Sequence, residues 1–345
     1  MARVRREAKS AFTEDEIVGV MRTILGGPAP GVVLGPGDDA ALVDLGRHTG
    51  VLTADMLVEG VHFDRDAMAP RDLGFKAISV NVSDVAAMGG SPRFAVVSLA
   101  LTADVDAGWV VELYGGLREA AGEYGMSVVG GDTSRAPVVV LSVAVTGEVA
   151  VGGAVTRAGA RPGDRLAVTG TLGGSAAGLR LLRVDPRRIR GAAAAERARG
   201  LIASHVRPLA RVGEGQTLAQ AGATAMIDVS DGLSLDLARL CRASGAAAAV
   251  RLASVPVTPG LDELRGLLGA DPLELALGGG EDYELLVALP GDAFEPARVL
   301  LAERFGTPLT DIGELRAGEG MVAIEPDGAE RPLATTGWDH FASSP

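Results

Sequence analysis

Apolar residues recur along this chain with two periods, and the switches between them mark out alternating elements. Thr13-Glu14-Asp15-Glu16 has the pattern of a capping box, and Ile17, Val18, Met21 and Ile24 follow at helical spacing. Residues 32–34 and 40–43 predict short strands broken by the turn Gly35-Pro36-Gly37, and residues 51–54 predict another. Pro70, at a first helical turn, opens a helix with Leu73, Ala77 and Val80 on one face. A strand over residues 94–101 precedes a helix carrying Val110, Leu113, Leu117 and Ala121. Two very apolar strands, 126–129 and 138–145, are predicted to be joined by a Gly-Gly-Asp-Thr turn. Helices alternating with strands make this a mixed α/β layout.

Residues 151–164 are glycine-rich and contain Pro162, the texture of a domain boundary. The expected division is an N-terminal domain over 1–150 and a C-terminal domain over 151–345. The second half restarts with a strand (165–168), a glycine-rich turn and a helix from Ser175. That turn, Gly170 to Ser175, reads as a plain strand-to-helix connection in preference to an anion nest. The alanine-rich tract 191–199 predicts a surface helix, whereas 246–249 carries little information. No repeat of solenoid length occurs.

Composition removes several classes. With 47% hydrophobic and 22% charged residues the chain is globular, not disordered. No apolar run approaches the roughly 18 residues of a membrane span. Forty-four acidic against 32 basic residues, a net charge of -12, argue against nonspecific nucleic-acid binding. One cysteine, Cys241, excludes a disulfide framework and a Cys-rich metal site. The basic start, Arg3 to Lys9, leads into no hydrophobic segment, so no signal peptide is predicted and a cytoplasmic protein is expected.

The informative feature is where the aspartates sit. Asp38 and Asp39 end the Gly-Pro-Gly turn, and Asp55 follows a strand. Asp84 lies in a mostly apolar stretch and Asp132 in the Gly-Gly-Asp-Thr segment. Asp228 and Asp231 flank Ser230 where the strand 224–227 gives way to a helix with Leu233, Leu237 and Leu240. Glu281 and Asp282 follow three glycines and precede the strand 283–289. One acid at a turn is commonly a cap or an Asx-turn. Recurrence of that placement in one chain weakens the bland reading. Two bare carboxylates about 4 Å apart repel by roughly 4 kcal/mol at an effective dielectric near 20, so converging acids need a proton or a cation between them. Hard oxygen ligands without a Cys or His cluster select Mg²⁺ or a similar ion, which leaves positions open for water and phosphates.

Other phosphate sites do not fit. The only lysines, Lys9 and Lys76, do not follow glycine, so there is no Walker A loop. An EF-hand loop starting at Asp228 would need glycine where Leu233 stands. Gly35-Pro36-Gly37-Asp38-Asp39-Ala40 matches the loose dinucleotide pattern, but two aspartates would repel a pyrophosphate. His-Arg-Asp and Asp-Phe-Gly, the protein-kinase signatures, are absent.

Taken together, seven blocks resemble the thiamine-monophosphate kinase family, within the superfamily of aminoimidazole ribonucleotide synthetase and selenophosphate synthetase. They are Gly37-Asp38-Asp39-Ala40-Ala41, the run from Asp55 to Phe63, Asn81 to Gly89, Gly130-Gly131-Asp132-Thr133, Asp228 to Leu233, Gly279 to Leu285 and Gly337-Trp338-Asp339-His340-Phe341. Each block is weak alone; the ordered set, from about residue 12 to 341, is specific. The resemblance implies a two-domain aminoimidazole ribonucleotide synthetase-like fold, mixed sheets with helices packed on them. It also implies ATP-dependent phosphorylation of thiamine monophosphate to thiamine diphosphate with several Mg²⁺ ions. A homodimer formed through the N-terminal domain is expected, with no nucleic-acid or membrane partner.

Carried over by position, Asp39, Asp55, Asp84, Asp132, Asp228 and Asp231 match the family's Mg²⁺ ligands, and Thr53 a further one. Gly131, Asp132, Arg157, Ser230 and Tyr114 match ATP contacts; His62, Glu281 and Trp338 match the thiamine site. From chemistry alone, Glu281 also reads as a turn acid, Trp338 as a tail plug and His62 as a core or surface residue. The chain departs from relatives with Ser/Thr-Thr-Asp by having Thr53-Ala54-Asp55, which leaves only a backbone carbonyl to ligate at 54. A phosphomonoester is already anionic near neutral pH, its second pKa being about 6. In-line attack on ATP then needs no catalytic base. A selenophosphate synthetase would carry a reactive Cys or selenocysteine near a lysine in its N-terminal region, whereas Cys241 lies far along the chain. A nonenzymatic nucleotide or Mg²⁺ sensor remains the alternative of a different class.

Overall fold

The computed structural model describes residues 13–25 and 30–341; the basic start, Arg3 to Lys9, lies outside them. The capping box closes as expected. Thr13 N–H donates to Glu16 Oε2 at 2.7 Å and Glu16 N–H to Thr13 Oγ1 at 3.3 Å, starting α1 (Glu14–Leu25).

The first half builds a six-stranded mixed sheet. Its strands are β1 (Val32–Leu34), β2 (Ala41–Asp44), β3 (Thr49–Val58), β4 (Ser91–Leu101), β5 (Ser127–Arg135) and β6 (Val140–Val149), ordered β1-β2-β3-β6-β4-β5. The β4–β5 pair is parallel and the rest antiparallel. Helices α2 (Pro70–Ala87) and α3 (Ala107–Glu123) cover one face, packing Ile78, Val82, Leu113 and Leu117 on Val97, Leu141 and Val143. Leu52, Met56, Phe94 and Val96 are exposed on the opposite face. Alternation along the strands thus places one apolar row in the core and leaves another in the open.

The second half contains a seven-stranded mixed sheet. In chain order it runs β7 (Arg165–Thr169), α4 (Gly174–Leu182), α5 (Ala192–Val206), α6 (Val212–Gln220), β8 (Ala225–Asp228), α7 (Leu233–Ser244), β9 (Ala247–Arg251), α8 (Leu261–Leu268), α9 (Pro272–Gly278), β10 (Leu285–Leu289), α10 (Gly291–Phe305), β11 (Leu309–Arg316), β12 (Met321–Ile324) and β13 (Glu330–Pro332). The strand order is β13-β12-β9-β11-β7-β10-β8. Leu233, Leu237 and Leu240 of α7 pack on Leu166, Ile227 and Leu286; Leu218, Ala297 and Leu301 pack on the other face against Ala167, Met226 and Val287. Burial on both faces is why β10 is a continuous apolar run without alternation. Residues 150–164 connect the two sheets. Helix α2 touches both halves, since Ala87 joins the core around Leu218 and Met226. That position explains why α2 is buried nearly all round and not along one stripe.

One expectation needs correction. Gly130-Gly131-Asp132-Thr133 is no turn: it lies inside β5, and β5 pairs with β4, not with β6. Gly131 serves a close approach beside a bulge between Ala95 and Val96, where a Cβ on it would sit 1.8 Å from the Val97 carbonyl oxygen. The tract 246–249 contributes to the buried strand β9, whose alanines fit beneath neighbouring elements despite poor strand propensity.

Candidate active site

Three carboxylates meet where the halves face each other. Asp39 stands in the loop before β2, Asp84 in the last turn of α2 and Asp228 at the end of β8; one oxygen from each lies within 4.8 Å of the others. Neighbours hold them in place. The Thr53 hydroxyl donates to Asp84 Oδ2, and Asn81 Oδ1 accepts the Asp55 N–H at 2.9 Å, which sets β3 beside α2. Asp228 accepts from Ser83 Oγ at 2.6 Å and from Ser230 Oγ at 3.3 Å. Arg157 reaches in from the connecting segment, its Nη2 2.5 Å from Asp39 Oδ1 and its N–H donating to Asp38 Oδ2 at 3.1 Å.

The acids are poorly compensated. Burial, then the charges of Asp55 and Asp228, push Asp84 well above the ordinary carboxylate range. Burial and Asp39 do the same to Asp228. Asp55 is raised to about 6 by burial and then Asp231, and Asp38 to about 6 by burial and then Asp39. Asp39 Oδ2 is buried without a hydrogen-bond partner. An orphaned carboxylate oxygen beside two other carboxylates and a threonine hydroxyl is a donor set suited to a hard divalent cation.

A second group surrounds this one. Asp231 pairs with Arg239 at 2.5 Å, Arg239 also holds Asp236 at 3.0 Å, and α1 lies alongside through Asp15. The Asp231 carbonyl accepts the Trp338 N–H at 2.9 Å, which brings the end of the chain to the cleft. Trp338 Nε1 donates to His340 Nδ1 at 3.1 Å, and the His340 and His62 ring centroids are 4.9 Å apart. His62 accepts the Val58 N–H on Nδ1 at 3.0 Å and is held below its ordinary pKa by burial and then His340.

Glu281 sits in the loop before β10, pinned against the Asp228–Asp231 segment. Its N–H donates to the Ser230 carbonyl at 2.7 Å, and the Tyr283 N–H to that of Val229 at 2.9 Å. A Cβ on Gly280 would lie 2.7 Å from the Ser230 oxygen, which accounts for glycine there. The loop is strained: Glu281 and Tyr283 have φ of 66° and 52°. Asp282 points the other way, accepting from Gly173 N–H at 2.6 Å and Ser175 N–H at 3.1 Å at the start of α4. The Gly170–Ser175 turn therefore caps its helix with the chain's own carboxylate.

Not every expected residue joins the cleft within one chain. Asp132 is exposed on the edge strand β5, in register with Ser98, Ser142 and Met56 on the open face, whereas Asp55 shares the helix-covered face with Val143 and Val97. Gly131 sits beside it on that edge strand, and Tyr114 is partly exposed on α3. Residues missed in the sequence include Asn81, Asp236, Arg239, Lys76 and His205. Lys76 left one signal, a cation inside an apolar helical stretch. The others were recognisable only from their partners.

Two family models cover most of the chain: AIR synthase related protein, N-terminal domain, matches residues 37–149, and its C-terminal domain matches 161–325. Fold and acid-lined cleft together define a two-domain protein of that class. The hydrogenase maturation protein HypE in complex with ATP shares the fold at a TM-score of 0.67 and 23% identity. Thiamine-monophosphate kinase of Escherichia coli K12 is 40% identical over 314 residues, covering 90% of this chain and 93% of the relative. The Aquifex aeolicus enzyme is 38% identical over 305 residues, covering 88% and 92%. A solved complex of AaThiL with AMPPCP and TMP superposes with a TM-score of 0.82 at 35% identity, covering 95% and 97% of the two chains. The chain belongs to the thiamine-monophosphate kinase family.

Proposed function

We propose that this protein transfers the γ-phosphoryl group of ATP to thiamine monophosphate, forming thiamine diphosphate. The observation that carries the reading is the convergence of Asp39, Asp84 and Asp228 from three separated segments, with an unpartnered buried oxygen on Asp39. Membership of the family and the likeness to a complex holding AMPPCP and TMP supply the substrates.

Asp39, Asp84 and Asp228, with Thr53, Asp55 and Asp231 beside them, would hold Mg²⁺, which when bound neutralises phosphate charge during transfer. Arg157 adds a fixed cation next to Asp39, and Ser230 a hydroxyl at the same edge. No side chain is needed as a base, since the acceptor phosphate is already anionic near neutral pH. What the residues contribute is position: two polyanions must be held in line with water excluded. His62, Glu281 and Trp338 form the thiamine end, where an aromatic wall and a carboxylate suit a cationic ring.

Asp132, Gly131 and Tyr114 enter this reading through a homodimer. The open face of the first sheet, with Leu52, Met56, Phe94 and Val96 exposed, suits a second copy as cover. The N-terminal domain would then be the dimerisation unit, residues 1–150, and 151–345 the domain across the cleft. Among the described residues no helix is long and apolar enough to cross a membrane, and an ATP-dependent reaction suits the cytoplasm.

The test is ADP release with ATP and Mg²⁺ against thiamine, thiamine monophosphate, selenide and formylglycinamidine ribonucleotide. Turnover dependent on thiamine monophosphate alone is expected. Turnover with another acceptor, or none with this one, overturns the reading.

A further inference from the structure

Lys76 is the single lysine among the described residues, and its side chain has no exposure to solvent. Its Nζ lies 2.8 Å from Glu281 Oε1. The other oxygen, Oε2, lies 3.2 Å from His205 Nδ1, and that nitrogen is 3.0 Å from Ser175 Oγ. The three groups arrive from α2, α5 and the strained loop before β10, so Glu281 is gripped from both halves of the molecule. Burial is the largest influence on the Glu281 carboxyl and raises it, yet Lys76, His205 and His62 together hold the group below its ordinary range. His205 is pushed down to about 4 by burial and then Lys76, so the ring that stands against Oε2 is neutral.

We propose that Lys76 and His205 are positioning residues that keep Glu281 ionised and aimed at the thiamine end of the cleft, and so help select a cationic, amine-bearing substrate. The inference rests on the functional reading above, in which Glu281 touches that substrate. A buried carboxylate without a counter-charge takes up a proton, and then presents a donor where the substrate's amino group needs an acceptor. Each carboxylate oxygen has two acceptor sites; one grip on each leaves the others for the substrate. The alternative is an ion pair that only ties α2 to the second half of the chain.

Steady-state kinetics with the two substrates varied separately tells these apart. For Lys76→Met the KM for thiamine monophosphate should rise about tenfold or more, the size of a lost charge-assisted contact, while the KM for ATP stays within about twofold. Glu281→Gln should behave alike. The double variant should be no worse than the worse single, because both remove one contact. His205→Gln, acting on the opposite oxygen, should raise the same KM by about threefold or more, and it decides the matter if Lys76→Met does not fold. Both KM values rising together, an unchanged KM for thiamine monophosphate, or additive losses in the double variant would overturn the proposal. Absence of turnover in the unsubstituted protein strikes the functional reading itself, a result that these ratios cannot imitate.

Discussion

Two sets of largely buried acids face the same cleft in opposite electrostatic states. Asp39, Asp84 and Asp228 crowd together around one guanidinium, and Asp84 and Asp228 are driven far above the ordinary carboxylate range. Glu281, a short way along the cleft, is held below it between Lys76 and His205. Burial is common to both, so burial is not what separates them. The fold gives Glu281 a counter-charge of its own, whereas the three aspartates have one guanidinium between them. Unmatched buried charge is costly for folding and is kept where something from outside completes it. In the proposed function the first set is a socket for cations, while the second is completed within the protein.

Removing one acid from the socket should produce the largest effect. Asp84→Asn is expected to lower the phosphoryl-transfer rate by about a thousandfold or more. Without divalent ions its melting temperature should hold or rise, since a repulsion is relieved. A markedly lower melting temperature in metal-free buffer would show Asp84 to be structural and break the comparison. Next in size is the open sheet face. Phe94→Glu with Val96→Glu should convert the proposed dimer to a monomer by light scattering and lower turnover, because Asp132 would then lack the second copy that the proposed function gives it. An active monomer would remove that role.

Added Mg²⁺ should stabilise the protein against heat, by about 2.7 kcal/mol at a hundred times its dissociation constant. Asp39→Asn should lose most of that gain, while Glu281→Gln keeps it; equal losses would merge the two sets. The smallest effect is with pH. Asp55 and Asp38, raised from 3.8 to about 6, add stability that is full below the unfolded value and lost as pH rises through 6. Glu281 has the opposite sign: its contribution is present above 4.5 and lost as pH falls through its lowered value. Metal-free protein should therefore melt higher at pH 5 than at pH 7, and Asp55→Asn should flatten that slope. Saturating Mg²⁺ should reverse it, because ligation requires the ionised acids. Calorimetry across this range checks each sign.

Local signals carried much of the fold. The capping box at Thr13, Pro70 at the start of α2 and the leucines of α7 are contacts within a few residues, and so visible in a linear reading. The acids that meet were visible too, because charged residues among Gly, Ala and Val stand out against their neighbours. What misled was a signal with two causes. Gly130-Gly131 looks like a turn, but glycine is also what a strand needs where another backbone crowds it, and only Val97 against Gly131 reveals which applies. Alanines at 246–249 had no pattern, since small residues record the tightness of their surroundings and not a preference of their own.

The order of motifs, the placement of acids and the scarcity of lysine are properties of the chain as written, and with the resemblance they were enough to point to a metal-assisted phosphoryl transfer. Which acids share a cavity, which carry a counter-charge and which face of the first sheet stays open were decided by tertiary structure alone. Electrostatic energy depends on distance and burial between groups far apart in sequence: 145 residues separate Ser83 from Asp228, and Lys76 meets Glu281 only because α2 is wedged between the halves. No local pattern encodes such a separation. The fold does, by bringing together charges that the sequence keeps apart.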